Sequence, residues 1–134
     1  MRFVDTSFWV ALGFRRDGHH DEARAIWADL GSGGLLTSNH VAGETWTFLR
    51  RRAGHDVAVD FIDRVERSAR VGIVRIDEAT EAEAFAWLRR HDERVYSLVD
   101  ASSFALMRRQ RLTEALAFDG DFAAAGFVEV RAGF

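Results

Sequence analysis

Arg2-Phe3-Val4-Asp5-Thr6-Ser7-Phe8-Trp9-Val10-Ala11-Leu12 is the stretch that decides the fold class. Its first three residues are β-prone, the next three favour the N-caps of helices, and the apolar run that follows has the composition of a buried helix. Strand, cap and helix therefore succeed one another within eleven residues. The rest of the chain repeats that grammar. Asp17-Gly18 interrupts the first helix. A second is expected over Asp21 to Leu30, with Ala23, Ile26, Trp27 and Leu30 at three- and four-residue spacing. Gly31 to Gly34 stops it.

Leu35-Leu36-Thr37 then reads as a short buried strand, and Ser38-Asn39 as the cap of a helix to about Arg52 that turns Val41, Thr45, Phe48 and Leu49 inward. Gly54 separates that helix from one over roughly His55 to Ala69. Val71-Gly72-Ile73-Val74-Arg75-Ile76 is the clearest strand. Helices opening at Thr80 (Ala84, Phe85, Trp87 and Leu88 inward) and at Ser97 (Ala101, Phe104, Ala105 and Met107) follow, with short strands at Leu116-Ala117-Phe118 and Val128-Glu129-Val130. Short strands alternating with helices imply parallel pairing by right-handed crossovers, hence an α/β protein with a central parallel sheet of four to five strands covered on both faces. At 134 residues, without linker or repeat, the expectation is a single domain over 1–134.

Composition removes whole classes of chemistry. The chain has no cysteine, so disulfides, thiolate nucleophiles and Cys-ligated zinc are excluded. All 18 basic residues are arginine, which rules out a Schiff-base or Walker lysine and leaves guanidinium to meet any phosphate. A net charge of −3 speaks against a protein that coats nucleic acid non-specifically. No apolar run approaches the ~20 residues that span a bilayer, and no signal-peptide pattern opens the chain, so a cytoplasmic protein without a membrane partner is expected.

The carboxylates carry the functional signal. In an open parallel sheet, ligands gather beyond the carboxyl ends of the strands where strand order reverses. Asp5 follows the first strand and Asp119 the fourth, while Glu44 and Asp100 lie about one turn inside helices that could face the same crevice. Each has an ordinary structural reading. Asp5 can be an N-cap, Asp100 stands at capping-box spacing from Ser97, and Asp119-Gly120 is a turn dipeptide with Asp121 a plausible cap. Glu44 fits no such role. It lies beside the apolar stripe, and its helical neighbours His40, Val41, Thr47 and Phe48 include no arginine. Gathered in one pocket, these like charges would repel unless a hard divalent cation neutralised them, and such an ion suits water activation at a phosphodiester.

The ordered set Val4-Asp5-Thr6-Ser7, Glu44, Ser97-Leu98-Val99-Asp100-Ala101 and Asp119-Gly120-Asp121-Phe122 before Ala125-Gly126-Phe127 resembles PIN-domain ribonucleases, in particular the VapC-type toxins of bacterial toxin–antitoxin modules. The resemblance spans essentially the whole chain. It implies a three-layer α/β/α domain and a Mg²⁺- or Mn²⁺-dependent endoribonuclease that cleaves RNA by metal-activated water. It further implies a homodimer, restrained by a cognate antitoxin whose C-terminal segment covers the site. Carried over by position, Asp5, Glu44, Asp100 and Asp119 match the acidic quartet that is both catalytic and metal-binding, Asp121 a more variable fifth ligand, and Thr6 or Ser7 a supporting hydroxyl. One place departs: the family often has Thr or Ser two residues before the fourth acid, where this chain has Ala117.

Other residues have weaker readings. Arg50-Arg51-Arg52, Arg89-Arg90 and Arg108-Arg109 with Arg111 sit at helix ends, where the helix dipole already favours them; the functional reading makes some of them an RNA-phosphate rim. His19, His20 and His40 lack metal-ligand spacing and read as loop or surface residues. Trp9 and Phe14 read as core or as a groove for a partner. Two alternatives to the nuclease stand. A receiver- or dehalogenase-like phosphotransfer domain normally needs a lysine, which is absent. A catalytically silent RNA- or protein-binding module on the same scaffold would have no reason to gather repelling carboxylates.

Overall fold

The computed structural model describes residues 1–133. In chain order the elements are β1 (Arg2–Val4), α1 (Thr6–Gly13), α2 (His20–Asp29), β2 (Leu35–Ser38), α3 (Asn39–Arg52), α4 (His55–Arg67), β3 (Val71–Val74), α5 (Glu78–Arg90), α6 (Leu98–Gln110), β4 (Glu114–Leu116), α7 (Asp121–Ala124) and β5 (Val128–Glu129). The five strands pair in parallel in the order β3-β2-β1-β4-β5. The chain therefore winds outward from β1 to β3, then returns to place β4 on the other side of β1. That reversal between β1 and β4 is the topological switch point of the sheet. Helices cover both faces, giving the expected α/β/α arrangement.

Burial explains the strands. Phe3, Val4, Ala115 and Leu116 at the centre of the sheet are fully buried, as a parallel sheet covered on both faces requires. Beside it, Phe104 packs edge-on against Phe122 at 4.9 Å, and Phe122 stacks on Phe3 at 6.1 Å. These rings fix the short α7, and with it the loop of Asp119 and Asp121, against β1 and α6.

Several boundaries differ from the sequence reading. The fourth strand is Glu114–Leu116 rather than 116–118, because Ala115 and Leu116 take the ladder partners offered by β1; Ala117 and Phe118 instead lead from the sheet into the site. The third strand ends at Val74, and Ile76 N donates to Asn39 Oδ1 at 2.7 Å instead of extending the ladder. Helix α5 begins two residues before Thr80, capped by Asp77, whose carboxylate accepts from Thr80 N. Phe85, expected inward, is 42 % exposed. Helix α7 was not anticipated: its single turn is too short to show a period.

Candidate active site

Asp5 leaves β1 at the switch point. Its backbone N donates to Leu116 O of β4 at 3.0 Å, which stitches the two strand ends together. Its carboxylate caps α1 by accepting from Ser7 N at 3.1 Å and from Ser7 Oγ at 2.7 Å. Ser7 Oγ in turn accepts from Phe118 N at 3.0 Å, so one hydroxyl ties the loop after β4 to the Asp5 carboxylate. Asp100 is the third residue of α6 and completes a reciprocal capping box: Asp100 N donates to Ser97 Oγ and Ser97 N to Asp100 Oδ2, both at 2.9 Å. Asp119 accepts from Asp121 N at 3.1 Å in a tight turn. The capping readings of Asp5 and Asp100 and the turn reading of Asp119 are thus correct, whereas Asp121, read as a cap, is the first residue of α7, whose N-cap is Gly120. The same side chains still converge: Asp5, Glu44, Asp100 and Asp119 line one cleft of about 400 Å³ together with Thr6, Ser7, Asp17, His19, Phe48 and Phe118.

Asp5 is 2 % exposed and Asp100 9 %, and burial dominates their electrostatics. It pushes the Asp5 carboxyl from 3.8 up to about 8, with the Asp119 charge adding to the rise, the Ser7 hydrogen bonds opposing it and Asp100 contributing a smaller push. Asp100 is raised to about 6, first by burial and, after the opposing Ser97 hydrogen bond, by Asp121 and Asp119. Asp119 is exposed as a residue, yet its carboxyl is also raised, chiefly by lost solvation and then by Asp121 and Glu129 against the Asp121 N–H bond. A cluster of partly desolvated carboxylates with too few cations is the arrangement that a divalent ion stabilises.

Glu44 corrects one expectation. It is exposed rather than inward-leaning, and among the described residues it has no hydrogen-bond or salt-bridge partner. It stands on the wall of the cleft, because α3 turns Thr45 and Leu49 to the core and leaves Glu44 and Phe48 at its edge. Asp121 brings a carboxylate oxygen within 4.8 Å of ligand oxygens of Asp100 and Asp119. Its Oδ1 is also held by Arg94 Nε and Nη2 at 2.9 Å each. Arg94, on the loop between α5 and α6, was not singled out from sequence; only its charge in an otherwise acidic neighbourhood could have drawn attention to it.

The donor set fits a hard divalent cation: every candidate ligand is a carboxylate oxygen, and Thr6 Oγ1, buried at the cleft, has no hydrogen-bond partner among the described residues. The arginine clusters separate in space. Arg51 and Arg52 line a groove that shares Glu44 and Phe48 with the site cleft. Arg90, Arg108 and Arg109 instead gather with Glu83 on α5 and α6, where Arg109 pairs with Glu83 at 2.9 Å. His19, read as a loop residue, is part of the cleft wall.

Comparison with known proteins agrees with this architecture. A model of the PIN domain matches residues 2–128. The chain is 53 % identical over 131 residues to the 23S rRNA-specific endonuclease VapC20 of Mycobacterium tuberculosis, with 98 % of each sequence covered. The crystal structure of that species' VapC20, described as a sarcin–ricin loop cleaving toxin, superposes with a TM-score of 0.93 at 51 % identity, covering 98 % of this chain and 99 % of the other. FitAB bound to an IR36 DNA fragment superposes with a TM-score of 0.67 at 18 % identity, covering 97 % and 94 % of the two chains, a likeness of fold alone.

Proposed function

This chain belongs to the PIN-domain family, and on that premise we propose that it is a metal-dependent endoribonuclease, the toxin of a bacterial toxin–antitoxin pair, acting on the sarcin–ricin loop of 23S ribosomal RNA. The observation that carries the reading is the convergence of Asp5, Asp100 and Asp119 at the β1–β4 switch point with carboxyls raised by burial and mutual repulsion. The substrate class is supported by the 53 % identity to an enzyme specific for that RNA.

Asp5, Asp100 and Asp119 hold Mg²⁺ or Mn²⁺ in this proposal, with Asp121 and Glu44 as the outer members. The ion, when bound, supplies Lewis acidity towards the phosphodiester and lowers the pKa of water for in-line attack. The chain's own contribution is placement. Ser7 orients Asp5 and holds Phe118, and the Ser97 backbone N–H orients the Asp100 carboxylate. Arg94 balances Asp121, and Arg51 and Arg52 give the adjoining groove a cationic side for RNA phosphate.

Partners follow the same reading. A cleft of about 970 Å³ away from the carboxylates is lined by Trp9, Leu12, Trp27 and Phe61 with Arg15 and Arg24 at its side, which suits an amphipathic acidic segment of an antitoxin. The exposed Phe85 offers an apolar contact for a second copy in a homodimer. On this reading the protein meets its ribosomal substrate in the cytoplasm; among the described residues no helix is long and apolar enough to cross a membrane.

The test is cleavage of a sarcin–ricin-loop RNA hairpin by purified protein with Mg²⁺ or Mn²⁺, the ends of the products being mapped. A single cut that disappears in EDTA and in Asp5→Asn supports the proposal. Cutting that survives both treatments refutes it. RNA binding without any cutting or metal binding would favour the silent-module alternative.

A further inference from the structure

A row of aromatic rings leads from the core to solvent at the edge of the carboxylate cleft. Phe8, fully buried, packs against Trp27 at 6.4 Å and stacks on Phe118 at 5.7 Å with 15° between planes. Phe118 lies face to face with His19 at 4.4 Å and 4°. The row ends there, with 53 % of the His19 side chain in solvent. Both outer rings line the same cleft as Asp5, Glu44, Asp100 and Asp119.

This row is held rigidly relative to the carboxylates. Phe118 N donates to Ser7 Oγ, which donates to Asp5 Oδ2. The Arg131 guanidinium lies 5.1 Å from the Phe118 ring centroid and donates from Nη1 to Ala117 O at 2.7 Å. His19 N donates to Asp17 Oδ1 at 2.8 Å, fixing the loop before α2. Local hydrogen bonding does not account for the ring itself. His19 makes no side-chain cap to α2, and its Nδ1 is 3.9 Å from Glu22 Oε1, beyond a hydrogen bond.

We infer that the stacked pair His19 and Phe118 forms a platform beside the carboxylate cluster on which a nucleobase flanking the scissile phosphodiester rests. The inference deepens the ribonuclease reading and depends on it. Looped RNA presents unstacked bases to aromatic faces, and such stacking tolerates any base because each has a π-face. The platform therefore sets where along the strand the phosphodiester meets the carboxylates and leaves base identity to other contacts. Phe48, with the Arg52 guanidinium 4.9 Å from its ring centroid, forms a further part of the cleft wall.

The test compares His19→Ala and His19→Phe with the unsubstituted protein, using the sarcin–ricin-loop hairpin. KM and kcat are measured across pH with Mn²⁺, and Kd for the hairpin is measured with each change in an Asp5→Asn background, also with Mn²⁺. His19→Ala is expected to raise KM and Kd together by about 5- to 150-fold, the worth of one base–aromatic stack. His19→Phe is expected to restore both, with kcat and its pH profile unchanged. Unaltered KM and Kd in His19→Ala overturn the inference. So does a His19→Phe protein as impaired as His19→Ala that has lost one limb of the pH profile, which would assign proton transfer to the imidazole. If the unsubstituted protein does not cut the hairpin at all, the ribonuclease reading fails with it; cutting with an unaffected His19→Ala protein removes the platform alone.

Discussion

Replacing Asp5 by asparagine keeps the shape of a side chain that is 2 % exposed and removes its charge. Without metal, burial and the neighbouring Asp119 hold that carboxyl at about 8 in the folded chain against 3.8 when unfolded. A raised pKa contributes stability that is fully present below pH 3.8 and is lost as pH rises through about 8. At about 1.4 kcal/mol per pH unit, the interval from 3.8 to neutrality costs the metal-free fold on the order of 4 kcal/mol. Asparagine carries no such penalty and retains an oxygen to accept from Ser7. Because Asp5 and Asp119 share the strain, about half of the relief is counted for Asp5 alone at the lower end, so Asp5→Asn should stabilise the metal-free protein by roughly 2–4 kcal/mol near pH 7. For a chain of this size that is a rise in Tm on the order of 5–15 °C. Urea and thermal unfolding in EDTA at about pH 4.5, 6, 7.5 and 8.5 measure it. The gap between the two proteins should be small at the acid end and widen towards pH 8, while saturating Mn²⁺ stabilises the unsubstituted protein more than the variant. A variant less stable than its parent in EDTA at neutral pH, or a gap that does not change with pH, would refute the reasoning.

Protons and metal compete for the same oxygens, so the apparent Mn²⁺ affinity, followed by calorimetry, should weaken steadily as pH falls from about 8 to below 6, where Asp5 and then Asp100 take up protons. Glu44→Gln, at an exposed position without a polar partner among the described residues, should change unfolding free energy by no more than about 0.5 kcal/mol while lowering cleavage; a large stability change would mean that Glu44 has a structural role. Ser97→Ala removes the half of the capping box in which Asp100 N donates to Ser97 Oγ and should cost about 1 kcal/mol in urea unfolding, with metal affinity little changed because the Ser97 N–H that holds the Asp100 carboxylate is kept. Phe122→Ala empties the ring cluster that anchors α7 and should cost about 3–5 kcal/mol by the same measurement.

Much of the fold was legible because short strands and capped helices alternate at a pitch that leaves few arrangements other than a covered parallel sheet. The chemical class was legible from residue types: no cysteine, no lysine, and acids placed after strands and in first turns. What could not be read was which role each acid plays. The sequence offered capping and metal binding as alternatives for Asp5 and Asp100, whereas both apply, since a helix N-terminus at the end of a central strand both fixes the carboxylate and presents it to the crevice. Glu44 was misplaced because a hydrophobic stripe gives the buried face of α3 but not its exact edge, and one step around the helix separates the buried Thr45 from the exposed Glu44. Arg94 on Asp121 and His19 on Phe118 join residues 27 and 99 positions apart. Sequence determined the local grammar and the supply of hard ligands. The return of the chain to place β4 beside β1 decided that those ligands meet, because only that crossing brings Asp119 and Phe118 to the carboxyl end of the first strand.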